Sequence, residues 1–144
     1  METERKYLLE RAGKVAIVQL YADGFEELSL EEKVKAYYLC QAALAGRDIT
    51  FDQIHRHGLS IRNMLEEVVT HPQGIEKGIL EKIKSYLKLL WVFNGNYGTN
   101  NRKFTPEFTY ANLFSSAKLA FLNGAKFGVK NESELERLLT DLKR

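Results

Sequence analysis

The sequence has little of what marks several protein classes. Cys40 is the single cysteine, so no intramolecular disulfide can form. Two prolines and ten glycines in 144 residues are too few for a linker or a low-complexity protein. No apolar run is long enough to cross a membrane, because Lys, Gln or Gly interrupts each one within a few residues. No secretory signal pattern is visible either, which points to a cytoplasmic protein. Excess charge is also lacking. The formal net charge is +2, with both signs interleaved, so no nucleic acid or membrane partner is expected.

Catalytic motifs are absent as well. There is no His-Glu-x-x-His, since His55, His57 and His71 are followed by Arg56, Gly58 and Pro72. Gly95-Asn96-Tyr97-Gly98 lacks the Lys-Ser/Thr that a phosphate-binding loop places after its glycines. The surrounding Asn-rich stretch has no acidic residue for a hard cation.

What is there is a globular balance of 44% hydrophobic and 28% charged residues, enough to build one core. The segment from about Glu2 to Tyr21 reads as a helix, with Leu8, Leu9, Ala12, Val15, Ala16, Val18 and Leu20 on one broad side. Asp23-Gly24 signals a turn. Ser29 followed by Glu32 forms a capping box for a second helix, which Gly46 is expected to stop. A third segment starts near Thr50 or Asp52 and runs, with a break at Gly58, to Val69. Pro72 then forces a loop. A strong apolar stripe predicts a fourth helix over Ile75 to Phe93. A fifth is expected from a Thr105 cap and Pro106 to Leu122, and a last one from an Asn131 cap over Glu132 to Lys143. No convincing period-two alternation is seen; Thr50-Phe51 and Lys126 to Val129 are the only extended pieces suggested. The expected fold is therefore mostly α: a single helical domain over 1–144, of about five to six helices, with one long Asn-rich loop and at most minor β structure.

Four features carry competing readings. His55 and His57 would point apart on a helix and share a face on an extended segment. Two ligands fall short of a zinc set, so a polar patch with Arg56 is the simpler reading. Cys40 sits between Leu39 and Gln41 and reads as a buried, inert thiol unless a basic partner activates it. Arg47, Asp48, Asp52 and Gln53 read as a helix cap with an ion pair, or as residues of which Arg47 or Gln53 faces a cleft. Trp91, Phe93, Tyr97, Phe104 and Phe108 surround the Asn-rich loop, either as core beneath it or as the wall of a peptide groove.

Two blocks carry a family resemblance. Tyr38 to Gln53, Tyr-Leu-Cys-Gln-Ala-Ala-Leu-Ala-Gly-Arg-Asp-Ile-Thr-Phe-Asp-Gln, resembles the N-terminal signature of dipeptidyl peptidase III, and the match continues through Arg56-His57, Ile61-Arg62 and Leu65-Glu66. Trp91-Val-Phe-Asn-Gly-Asn-Tyr97, followed by Lys103-Phe104-Thr105-Pro106, is similar to a second family block. The resemblance is clearest over 28–108. Between Tyr97 and Lys103 the chain departs from it, with Asn100 and Asn101 where the family often has an aromatic and a loop about one residue shorter.

The resemblance implies the N-terminal, non-catalytic lobe of a two-lobed cytosolic zinc exopeptidase that removes dipeptides from peptide N-termini. It implies no catalytic residue and no metal ligand in this chain. Zinc, held by His-Glu-x-x-Gly-His and a later Glu, is expected in the missing lobe, and the isolated chain is expected to be inactive. Asn94, Asn96 and Tyr97 match the loop pattern and are the expected substrate-binding residues. Expected partners are short peptides and the remaining lobe of the parent enzyme. The alternative is a stand-alone helical protein-interaction module without catalytic activity. A stand-alone module is expected to bury its apolar stripes by itself, whereas an excised lobe leaves apolar surface exposed and could make a homodimer through it. A third, weaker reading is an independent enzyme using Cys40 or the His55/His57 pair.

Overall fold

A computed structural model describes residues 5–98 and 102–143. Its elements are β1 (Leu8–Ala12), β2 (Val15–Val18), a 3-10 turn (Asp23–Phe25), α1 (Leu30–Ile54), α2 (Gly58–Thr70), α3 (Lys77–Phe93), α4 (Tyr110–Leu122) and α5 (Glu132–Leu142). The protein is mostly α, with one small antiparallel sheet.

That sheet overturns the helix expected over Glu2 to Tyr21, of which Glu2 to Glu4 lie outside the described residues. Ala12 pairs with Val15, leaving Gly13-Lys14 as a two-residue turn. Gly13 has φ +59°, a left-handed backbone that a residue without a Cβ adopts cheaply. Val15, Ile17 and Val18 are β-branched and favour the pleated conformation. Val15 and Ile17 are half-buried while Ala16 and Val18 face solvent, a short period-two alternation. The hairpin rests on α3, where Lys88 Nζ donates to Glu10 Oε2 at 2.6 Å.

α1 begins as expected. Ser29 Oγ accepts from the Glu32 backbone N–H at 3.3 Å, and the Glu32 carboxylate accepts from the Ser29 N–H at 2.8 Å. Gly46 does not stop the helix, which runs on to Ile54 and passes through Thr50-Phe51 without an extended piece. An interior glycine costs only about 0.5–1 kcal/mol relative to alanine. The turns after it are held from outside, by burial of Phe51 and by an ion pair from Asp48 to Arg62 on α2. The chain then turns sharply at His55, and α2 starts at Gly58. A Cβ on Gly58 would overlap the Phe51 carbonyl, so the corner needs glycine for close approach.

α2 is the hub, touching α1, α3 and α4, while α5 packs on α4. Met64, Leu65 and Val68 from α2 meet Ile83, Leu87 and Leu90 from α3. Ala117 and Ala120 of α4 and Leu135 and Leu139 of α5 complete this core. α4 starts later than Thr105-Pro106 would have it. Thr109 and Asn112 cap each other reciprocally, at 3.1 Å and 3.0 Å, whereas Pro106 and Phe108 lead in as coil with Phe108 edge-on to Tyr86. Asn131 caps α5 as expected, accepting from Glu134 N–H at 2.9 Å. Lys126 to Val129 form no strand.

Candidate functional site

The Asn-rich segment begins where α3 ends. Asn94 takes φ +50°, the left-handed cap for which asparagine substitutes when glycine is absent, and Gly95 N–H then bonds back to Leu90 O at 3.1 Å. The two arms of the segment are paired: Tyr97 bridges to Lys103, Phe104 N–H donates to Asn96 O, and Gly98 N–H donates to Arg102 O, both at 2.9 Å. Beneath them Phe93 and Phe104 pack with ring centroids 4.9 Å apart. Of the aromatics around the segment, Phe108 packs against the main core, Phe93 and Phe104 are half-buried, and Trp91 and Tyr97 are exposed. Asn100 and Asn101 lie outside the described residues.

The three expected substrate-binding residues point to different places. Asn94 lines a 220 Å³ hollow with Arg47, Phe51, Arg62, Glu66 and Trp91. Asn96 faces a void of only 10 Å³ beside His55, Gly58 and Tyr86, and its Oδ1 is buried without a hydrogen-bond partner. Tyr97 lines neither of these and is about one-third exposed.

Sequence reasoning missed the residue that organises the first hollow. Arg62 is only 6% exposed. Its guanidinium donates to both Asp48 carboxylate oxygens, at 2.5 Å and 3.4 Å, and to Asn63 Oδ1 at 3.0 Å. It lies 4.9 Å over the Phe51 ring and 3.5 Å from Glu66, which accepts from Trp91 Nε1 at 2.8 Å. The Arg62 hydrogen bond holds the Asp48 carboxyl below its usual range, and Asp48 in turn raises Arg62. One buried arginine therefore joins α1, α2 and α3. The available signal was a charge at Arg62 between Ile61 and Met64-Leu65 on an apolar face, with Glu66 at i+4. The ion-pair half of the expectation for Asp48 holds, with Arg47 3.6 Å away, but Asp48 caps nothing because α1 runs through it.

His55 and His57 sit in the α1–α2 corner with ring centroids 5.7 Å apart. His57 N–H donates to His55 Nδ1 at 3.2 Å. Burial lowers the His55 pKa, and the nearby charges of His57, Lys103 and Arg56 lower it further. His55 Nδ1 is thus already engaged as an acceptor. Among the described residues no three His, Cys, Asp or Glu side chains converge to hold a metal ion. Cys40 is exposed on α1, not buried as its apolar neighbours suggested.

A larger cavity lies elsewhere. A groove of about 610 Å³ opens between the hairpin turn, the outer face of α3 and the returning arm of the Asn-rich segment. Its position depends on the hairpin, which the sequence pattern did not disclose. No family model matches the chain, and no curated protein matches it.

Proposed function

We propose that this chain is the N-terminal, non-catalytic substrate-cleft lobe of a zinc-dependent dipeptidyl peptidase, inactive alone. The parent removes dipeptides from peptide N-termini in the cytoplasm, with zinc bound in its other lobe. Beyond the two sequence blocks, one observation carries this reading: α1 is a 25-residue helix on which only Phe51 is buried. Leu30, Val34, Tyr37, Tyr38, Leu39, Leu44 and Ile49 are all exposed, Leu30 by 79% and Tyr38 by 65%. Fully burying each such side chain is worth about 1.5–3 kcal/mol. An uncovered surface of this kind marks an interaction site, and the remaining lobe would cover it.

In this reading Asn94, Asn96 and Tyr97 face the peptide main chain. Asn96 Oδ1 is an unpartnered acceptor beside a void with room for no more than a water, so it would reach a peptide only through a bridging water. The test uses the intact parent. Replacing Asn96 and Tyr97 by Ala is expected to raise KM or lower kcat for a dipeptidyl arylamide; unchanged values of both would sink the assignment. The native gene product is expected well above 16.6 kDa on an immunoblot.

The alternative, a stand-alone interaction module, draws on a different observation. The core of α2–α5 closes on its own residues, with Leu65, Val68, Ile83, Leu135 and Leu139 fully buried. In that case the apolar side of α1 is covered by a second copy, and sedimentation of the isolated chain would give a dimer while the native band ran at 16.6 kDa.

A further inference from the structure

We infer that the 610 Å³ groove is a binding site for a small organic anion, a phosphate monoester or carboxylate carried on a flat apolar body. Its volume falls within the range of small-molecule sites. Three separate elements bring basic residues to its lining: Lys14 from the hairpin turn, Lys82 from α3, and Arg102 and Lys103 from the returning arm. Glu107 is the single acidic residue among them.

Among the described residues cations without a carboxylate partner are common, Lys35 and Lys77 among them, so the informative feature is that four of them line one groove. Lys84, Lys88 and Lys118 each hold a carboxylate within about 3 Å. Among the described residues, none of the four groove cations has such a partner. Cations that line one groove without carboxylate partners make it electropositive, and an anion that enters it gains charge-assisted hydrogen bonds.

The floor argues for more than a bare ion. Tyr86, Leu89, Phe93 and Phe104 present ring and aliphatic surface beneath the basic rim. Burial raises the Tyr86 pKa, which keeps this part of the floor uncharged. A flat apolar body covers the rings while its acidic group reaches the rim. The inference is independent of the peptidase reading, because it uses none of Asn94, Asn96 or Tyr97.

The probe is 1-naphthyl phosphate, titrated into the isotope-labelled chain and followed by amide chemical shifts. Inorganic phosphate supplies the charge without the body, 1-naphthol the body without the charge, and 1-naphthoate the carboxylate form. Saturable shifts are expected around Gly13, Ser85, Gly98 and Lys103, with affinity about tenfold tighter than for phosphate or naphthol alone, a step that one charge-assisted hydrogen bond readily supplies. Comparable binding of 1-naphthoate identifies a general anion site, and its failure a phosphate site. Lys82→Ala with Lys103→Ala should weaken binding about tenfold, and so should Lys14→Glu on a different element. All three residues are exposed, so the fold is expected to survive. Shifts centred on α1, no saturation, naphthol binding as tightly as its phosphate, or undiminished affinity in both variants would overturn the proposal.

Discussion

α2–α5 and α1 are built from similar proportions of apolar residues, yet they stand in opposite relation to water. Each of α2, α3, α4 and α5 places a stripe of side chains in the common core. α1 is longer than any of them and contributes Phe51 alone. The difference lies in arrangement. In α3, Ile83, Leu87 and Leu90 recur at i, i+4 and i+7 on one face, while Lys77, Lys84 and Lys88 fall elsewhere. In α1, Leu30, Val34, Tyr37, Tyr38, Leu44 and Ile49 fall within an arc of about 140°, but Glu31, Asp48 and Asp52 share that arc and Leu39 lies outside it, so no clean apolar stripe forms. Apolar content alone does not place a helix in a core; its angular distribution and its neighbours do.

The sharpest way to break this contrast is to truncate one leucine in each region. Leu65→Ala removes a fully buried side chain at the α2–α3 seam and should cost about 2–5 kcal/mol by denaturant titration. Leu39→Ala, on an exposed part of α1, should stay within about 0.5 kcal/mol in the isolated chain. A large loss at Leu39 would mean that α1 is already covered, by a second copy.

The joint between the two regions comes next. Arg62→Ala removes the bidentate contact to Asp48 and the contact with the Phe51 ring. The loss should be about 2 kcal/mol, in the range of hydrogen bonds to charged groups. It should also speed amide exchange in the last turns of α1 more than in α3, since Asp48 and Phe51 are what tie those turns down. Equal acceleration in both helices would deny the joint its local character.

The same contrast governs what the sequence disclosed. α2, α3 and α5 were legible because their stripes are amphipathic and their ends carry local signals, such as Pro72 and the Asn131 cap. The start of α1 was legible from Ser29 and Glu32, whose reciprocal bonds lie within four residues. Its end was not, because Gly46 is outweighed by Phe51 and Asp48 reaching across to α2. The hairpin was misread because Leu8, Leu9 and Ala12 also satisfy a loose helical pattern, and the deciding features are the left-handed Gly13 and the β-branched residues after it. Of the candidate site, the Asn-rich segment could be picked out by composition. Arg62 and the basic groove could not, since both are assembled from residues far apart in the chain.

Within α1 itself, Ser29→Ala should remove the cap and cost the helix about 1 kcal/mol. The Ser29 hydrogen bonds also lower the Glu32 carboxyl pKa. A group depressed in the folded state stabilises above its unfolded pKa and loses that contribution as pH falls through the folded value. Faster exchange of the Glu32 and Lys33 amides, with α2–α5 unaffected, is the expected signature. Spread of the effect into α3 would mean that α1 and the core unfold as one unit.

The smallest expected effect sits at the corner where the regions meet. His55 Nδ1 accepts the His57 N–H, so the corner is built around a neutral His55 imidazole. Protonation removes that acceptor and places a cation beside Lys103, Arg56 and His57. Because burial and these neighbours depress the folded pKa, the unfolded chain binds the proton first as pH falls below about 6.5, and stability declines from there. Carboxylates such as Asp48 lose their contribution only near or below pH 4, which leaves a window between the two ranges. In that window the thermal midpoint should fall with pH, and His55→Gln, whose amide oxygen can still accept the His57 N–H, should flatten the slope. Exchange at the Gly58 amide, which bonds to His55 O at 2.7 Å, reports the same event locally. If the slope survives His55→Gln, the proton is going to another group. The α1–α2 corner would then be a rigid connection between the core and the exposed helix, insensitive to pH in this range.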